Sequence, residues 1–261
     1  NREIDIYIPS KKLAIEYNGL YWHGEVGGNK QKGYHLDKLK RCNTSGIRLI
    51  QIFEDEWINS PDLIKRKLAH ICNIGGKSVY ARKCIVKEIP HKYATVFLDK
   101  NHIQGRCVSN INLGLFHGAE MVAVMAFGKA RISLGSTPTS GEYELLRYAT
   151  SQNTMGGASK LLAYFLNKYK PQKITSYADR RWSAGGLYEK IGFEKKANSS
   201  PNYWYFQPGY PIRYHRYAFR KNVLAKKLAT FDPNLTEWKN MQNNRWDRIW
   251  DCGNLKYEMN F

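Results

Sequence analysis

One hairpin constrains the chain more than any other stretch: Glu3-Ile-Asp-Ile-Tyr-Ile-Pro-Ser-Lys-Lys-Leu-Ala-Ile-Glu-Tyr-Asn-Gly-Leu-Tyr-Trp-His23. Ile4, Ile6 and Ile8 alternate with Asp5 and Tyr7, which is the period of a strand. Pro9-Ser10-Lys11-Lys12 is a turn, and Leu13 to Tyr17 is a second strand-like run. Asp5 falls on the first strand and Glu16 on the second. Carboxylates within otherwise apolar strands are costly unless something pairs with them. Two that converge suit a divalent cation. The other arrangement is an edge hairpin with both facing solvent; the cation arrangement is the working expectation.

Downstream lies a Gly-rich basic loop, residues 24–33, then a helix predicted over Tyr34 to Ser45 and ended by Gly46. A third strand follows at Ile47 to Phe53. Glu54-Asp55-Glu56 reads as a solvated turn, and Pro61 to Ile74 as a second helix behind a Ser60 or Asn59 cap. Gly75-Gly76-Lys77-Ser78 reads as a linker; its echo of a phosphate-binding loop lacks the upstream Gly and is set aside.

A second unit begins near Val79. Strands are predicted at Tyr80–Ile89, Ile111–Phe116, Met121–Phe127, Glu142–Thr150, Lys173–Ala178, Asn202–Phe206 and Arg213–Phe219. Helices are predicted at His91–Asn101, after the glycine turn at Gly156-Gly157, and at Gly185–Ile191. The tail from Leu224 holds two short helical pieces and the basic, aromatic run Asn243–Trp250. The expected class is mixed α/β (α+β), with domains at 1–77 and 78–223 and an extension at 224–261.

Charge narrows the partner. Lys and Arg number 41 against 22 Asp and Glu, a formal net charge of +19, while 43% hydrophobic residues suffice for real cores. Such an excess points to a polyanion, and double-stranded DNA is the expected partner. Lys30, Lys32, Arg180, Arg181, Arg213, Arg216 and Arg245 are the candidate DNA contacts. No apolar run reaches membrane-spanning length and no signal peptide is seen, so no membrane role is expected. No protein partner is evident, and the sequence leaves the oligomeric state open. Cys42, Cys72, Cys84, Cys107 and Cys252 are scattered without a CxxC pair, which suits reduced thiols in an intracellular protein. The start at Asn1, before a strand and without Met, suggests an absent N-terminal part.

The order strand, turn, strand, loop, helix, strand resembles the core of the PD-(D/E)xK nucleases, with Asn18 where that motif has lysine. Asp5-Ile-Tyr-Ile-Pro9 with Leu13 to His23 resembles the very-short-patch repair endonucleases, and more closely the phage homing endonucleases with an EDxHD pattern. That resemblance covers residues 1 to about 75. It implies a Mg²⁺-dependent endonuclease hydrolysing phosphodiester bonds in double-stranded DNA, in the cytoplasm of a phage-infected bacterium. It makes Asp5 a metal ligand with Glu16 beside it, and His23 the general base or acid. Asp37, or else His35, would orient His23, and Asn18 would stand at the catalytic lysine position. The chemistry is consistent: Mg²⁺ favours hard oxygens and lowers the pKa of a bound water.

The second unit resembles a different family. Asn153-Thr-Met-Gly-Gly-Ala-Ser-Lys-Leu-Leu162 resembles the pyrophosphate-binding turn of GNAT acyltransferases, and Gly185 to Phe193 resembles their later LYxKxGF segment. Ser176 to Trp182 and Asn101 to Arg106 resemble the phage Mom-like DNA-modification branch. Two implications follow. One is a DNA-binding platform for the nuclease, the expectation favoured. The alternative is a DNA-base-modifying acyl or aminoacyl transferase, with Gly156 and Gly157 at the cofactor and Tyr177 and Asp179 near the chemistry. A DNA-binding protein with a degenerate nuclease core is the third reading.

Overall fold

The computed structural model describes residues 3–74, 76, 78–129 and 140–261. Gly75 and Lys77 of the expected linker lie outside the described residues. In chain order the first elements are β1 (Ile6–Ile8), β2 (Leu13–Asn18), α1 (Tyr34–Thr44), β3 (Arg48–Phe53), α2 (Glu54–Asn59) and α3 (Pro61–Ile71). Then come β4 (Val79–Tyr80), β5 (Ile85–Glu88), α4 (His91–Asn101), β6 (Ile111–His117), β7 (Glu120–Lys129), β8 (Glu142–Thr150) and β9 (Thr154–Met155). They are followed by α5 (Gly157–Tyr169), β10 (Lys173–Asp179), α6 (Gly186–Lys190), β11 (Glu194–Asn198), β12 (Tyr203–Phe206) and β13 (Tyr214–His215). The last are α7 (Lys221–Leu224), α8 (Glu237–Asn243), β14 (Asp247–Trp250) and β15 (Asn254–Asn260).

The chain forms two compact units, each discontinuous in sequence. Unit 1 comprises Asn1–Pro61, Asp179–Ser183 and Ser199–Asn254; unit 2 comprises Asp62–Ala178, Ala184–Asn198 and Leu255–Phe261. The expected extension from residue 224 is not separate: it supplies β14 to one sheet and β15 to another.

In unit 1, β1 pairs antiparallel with β2, Ile6 facing Ile15 and Ile8 facing Leu13. β2 then pairs parallel with β3, from Leu13 opposite Arg48 to Asn18 opposite Phe53. Parallel neighbours need a crossover, and α1 provides it. The buried face of α1 is His35, Lys38, Leu39 and Cys42, so a histidine and a lysine turn inward with the apolar residues. Leu39 and Cys42 pack with Ala14, Leu49 and Cys252.

Glu54-Asp55-Glu56 is not a solvated turn but the first turn of α2, where the Glu56 carboxylate accepts the Phe53 N–H. A second sheet of unit 1 runs β13-β12-β14, with Tyr203 opposite Trp250. The strand expected over Arg213–Phe219 is only Tyr214–His215. A 3₁₀ turn over Arg216–Phe219 then buries Phe219 with Tyr205, Leu224 and Met241.

Unit 2 is a seven-stranded sheet in the order β11-β15-β10-β8-β7-β6-β5. It is mixed: β5 to β8 are antiparallel neighbours, and β8 and β10 are parallel. Val122 to Phe127 of β7 are fully buried, so this central strand is apolar without alternation, as a strand covered on both faces must be. Its residues divide between two cores. Val124 and Ala126 pack with Ala94, Phe97 and Leu98 of α4. Ala123, Met125 and Phe127 pack with Leu161, Leu162 and Phe165 of α5. The helices therefore cover opposite faces, and Phe127 stacks on Phe165 with centroids 3.6 Å apart. This mixed sheet bears out the acyltransferase-like part of the expected fold.

Candidate functional site

In unit 2 the parallel strands β8 and β10 are in register only from Glu142 opposite Lys173 to Leu145 opposite Ser176. β8 continues to Thr150 and β10 to Asp179, so their C-terminal halves run on unpaired with each other. A cleft between parallel strands at their carboxyl ends is where open α/β sheets bind ligands. The glycine turn follows β8 directly. Gly156 caps α5 at φ +75°, in the left-handed region that favours glycine. A Cβ on Gly157 would come within 2.9 Å of both the Tyr148 hydroxyl and the Thr154 methyl.

The turn is built to present a helix start. β4 lies parallel to β9, Tyr80 opposite Met155. Lys160, in the first turn of α5, donates to the Ala81 carbonyl at 2.9 Å and the Cys84 carbonyl at 2.6 Å, clamping the 81–84 turn beside it. The depression between them is lined by Tyr80, Arg82, Met155, Gly156, Ser159 and Lys160, with Ala81 at its floor and no acidic side chain. The first turn of α5 also carries no acid. The partial positive charge of a 13-residue helix, its N–H groups and Arg82 thus face one space. Burial pushes the Tyr148 hydroxyl up to about 12, only partly offset by a backbone hydrogen bond with Ala158.

Tyr188 of α6 lies at the bottom of the parting strands. The Ser176 hydroxyl is 2.8 Å from the Leu145 carbonyl and 3.1 Å from the Tyr188 hydroxyl. Burial raises the Tyr188 pKa, so the phenol stays protonated near neutral pH. Tyr257 stacks beneath it at 5.0 Å. Tyr177 lies half-buried on β10. The sequence singles out Gly156, Gly157 and Tyr177 for the cofactor and the chemistry, and Tyr188 only as part of a family resemblance, while Lys160 receives no role. Tyr188 was within the quoted LYxKxGF segment, which was the available signal.

The acidic hairpin of unit 1 takes another form than expected. Asp5 is exposed and accepts the Tyr17 N–H at 2.7 Å. Glu16 is buried, and its carboxylate is held by the ammonium of Lys38, which also donates to the Glu3 carbonyl at 2.6 Å. A fixed ammonium therefore stands where Mg²⁺ was expected. Burial raises the Glu16 pKa, against the lowering influence of Lys38. Asn18 is fully buried, its amide 3.4 Å from Gln51. His23 meets His35, not Asp37: Nδ1 of His23 is 3.1 Å from Nε2 of His35, while Asp37 is exposed on the first turn of α1. Burial, then Lys38 and Lys30, lower His23 to about 4; burial and His23 lower His35 to about 3. Among the described residues no group of three or more His, Cys, Asp or Glu is placed to hold a metal ion. The residues present do not fit Mg²⁺. The spacing His35, Lys38, Leu39, Cys42 on one helical face was the signal that Lys38 turns inward.

The expected DNA contacts divide by burial. Arg181 is buried, 2.7 Å from Asp179 and 2.9 Å from Glu56. Arg213 is bonded to Asp55 at 2.6 Å and Glu56 at 3.0 Å, and the two guanidiniums lie over the Phe53 ring at 4.5 and 3.9 Å. Burial acts to raise the Glu56 pKa, but Arg181 and Arg213 outweigh it and hold the carboxyl down to about 2. Arg181 and Arg213 are thus internal ties, correcting their assignment to DNA, and Asp179 is committed to Arg181. Arg180 donates to the Cys252 carbonyl at 3.3 Å. Lys30 lies over Tyr34 at 4.7 Å and Lys32 over Trp250 at 5.6 Å. Arg216 and Arg245 are exposed. The glycine loop is pinned from far along the chain: Asp247 accepts from Val26 and Gly27, and Glu25 binds Arg248 and Trp250. No helix among the described residues is long and apolar enough to cross a membrane.

No protein-family model matches the sequence, and no curated protein matches it. Among solved structures, the chain is similar to an IAA acetyltransferase from Bacillus cereus, at 13% identity and TM-score 0.39, over 68% of this chain and 99% of that one. It is similar to yncA, a putative acetyltransferase from Salmonella typhimurium solved with acetyl-CoA, at 12% identity and TM-score 0.39, over 68% and 94%. It is also similar to the ribosomal-protein-S18-alanine N-acetyltransferase from Escherichia coli, at 11% identity and TM-score 0.37, over 68% and 93%. The expected magnesium-dependent homing endonuclease is corrected by the hairpin itself, where Lys38 holds Glu16 and no metal-ligating group forms among the described residues; a PD-(D/E)xK core is not shown.

Proposed function

We propose that the chain is an acyl or aminoacyl transferase that draws on a coenzyme A-type thioester and modifies a base of DNA. The observation that carries this reading is the parting of β8 and β10 beyond Leu145 and Ser176, directly ahead of the glycine-capped start of α5. A diphosphate fits that start. The N–H groups at Gly157 to Ser159 and the Arg82 guanidinium supply donors, and no carboxylate opposes it. Gly156 and Gly157 keep side chains out of the approach.

The thioester would supply the activated acyl group. The chain's own residues do the rest. Tyr148 props the first turn of α5 through Ala158. Tyr188, kept protonated by burial, is the proton donor for a departing thiolate, with Ser176 fixing its hydroxyl at 3.1 Å. The net charge of +19 supports a nucleic-acid acceptor.

Thermal unfolding with and without coenzyme A tests the reading. A ligand that binds only the folded state raises the melting temperature, and the rise grows with the logarithm of its concentration above the dissociation constant. The expected result is a rise with coenzyme A that Arg82→Glu abolishes. No shift at millimolar coenzyme A would refute it.

A further inference from the structure

The segment Ser199–Phe231 of unit 1 contains six Lys and Arg and not one Asp or Glu. Arg213 alone among them is consumed by internal ion pairs. Arg216, Arg220, Lys221, Lys226 and Lys227 have no carboxylate partner among the described residues, and all five are exposed. Interleaved with them are exposed tyrosine rings: Tyr210 at 66%, Tyr217 at 56% and Tyr214 at 41% of full exposure. A core was at hand for these rings, since Phe219 and Leu224 of the same segment are buried with Tyr205 and Met241. The tyrosines are turned outward while their neighbours anchor the backbone.

The cations and rings are already paired. The Arg220 guanidinium lies 3.7 Å from the Tyr217 ring centroid, and Arg216 lies 5.2 Å from that of Tyr203. Lys227 lies over Phe219 at 5.1 Å and donates to the Ala218 carbonyl, which holds it beside the same turn. A guanidinium laid on a ring leaves its N–H edge free for phosphate and widens the flat surface on which a base can stack. Open aromatic faces among unpaired cations are what a strand with unpaired bases requires. A duplex hides its base faces and would use only the charges.

We propose that the surface over Tyr210–Lys227 binds single-stranded nucleic acid, with bases stacked on Tyr217–Arg220 and phosphates met by Arg216, Lys221 and Lys227. An acidic protein surface would satisfy the cations but not the open rings. The inference rests on the transferase reading only in taking nucleic acid as the partner; its own support is the charge and aromatic pattern of this segment.

Fluorescence anisotropy with a labelled 20-mer of oligo(dT) and a labelled 20-bp duplex tests it on the full chain. Wild type should bind the single strand more tightly than the duplex. Tyr217→Ala should weaken single-strand binding about tenfold, Tyr217→Phe should retain it, and Arg220→Ala should flatten its salt dependence. Circular dichroism of Tyr217→Ala should match wild type, because the ring is exposed. Three results overturn the proposal: Tyr217→Ala binding oligo(dT) within twofold of wild type, duplex preferred over single strand, or binding to polyglutamate but not to oligo(dT). Loss of coenzyme A binding with oligo(dT) binding intact would instead sink the transferase reading and leave this surface standing.

Discussion

Lys38 reaches across from α1 and closes on the carboxylate of Glu16 inside unit 1, both side chains about 5% exposed. A buried ion pair adds little over an apolar pair of the same shape, but breaking it leaves one charge stranded. Lys38→Met should therefore destabilise the protein by about 3–5 kcal/mol, and Glu16→Gln added to it should restore most of the loss. Urea unfolding of the single and double variants measures this. Equal stability of wild type and Lys38→Met would show that the pair does not form.

The His23–His35 contact makes stability depend on pH. Folding lowers both, to about 4 and about 3, from an ordinary 6.5. The unfolded chain binds more protons below 6.5, so stability is full above that value and falls as pH drops toward 4. The two histidines together should cost on the order of 5 kcal/mol between pH 7.5 and 4.5. Denaturation midpoints across that range report it, and His35→Gln should flatten the slope. A profile that is flat in wild type would contradict the buried, neutral pair.

Arg213 and Arg216, three residues apart, should behave as opposites. Arg213→Ala strands Asp55 and leaves Glu56 with Arg181 alone, and should lower stability by roughly 3 kcal/mol. Arg216→Ala removes an exposed cation and should leave stability within about 0.5 kcal/mol of wild type while weakening nucleic-acid binding. Paired unfolding and binding measurements separate the two roles.

Local periodicity made much of this molecule legible. The helix at His91–Asn101 and the strand at Glu142–Thr150 have the bounds the pattern predicted, because both carry strong apolar repeats into a core. The glycine turn at Gly156-Gly157 was legible because positive φ and close approach demand glycine. What was not legible depends on distant partners. Asp247 takes the N–H groups of Val26 and Gly27 more than 200 positions away, and β15 inserts between β10 and β11. Nothing in a local window encodes either pairing. The two carboxylates of the hairpin misled for the same reason: Glu16 is met by Lys38 from a helix 22 positions away, and Asp5 by the Tyr17 N–H across the hairpin.

Gly185 tests the packing behind the cleft. It sits at φ +92°, and a Cβ there would lie 1.7 Å from the Tyr257 hydroxyl. Gly185→Ala should displace Tyr257 from its stack on Tyr188 and cost roughly 2–4 kcal/mol. Limited proteolysis should show faster cleavage within unit 2. Wild-type protease resistance would mean that the Tyr188–Tyr257 stack is not fixed by this glycine.

In the proposed transferase, the start of α5 holds the diphosphate of a coenzyme A-type thioester. Calorimetric titration of acetyl-CoA into the wild type and into Gly157→Leu tests it most directly, since a Leu there would fill the approach to the Tyr148 hydroxyl. One saturable site is expected in the wild type, lost in Gly157→Leu while secondary structure is retained. Absence of binding by the wild type, or equal binding by both proteins, would contradict it.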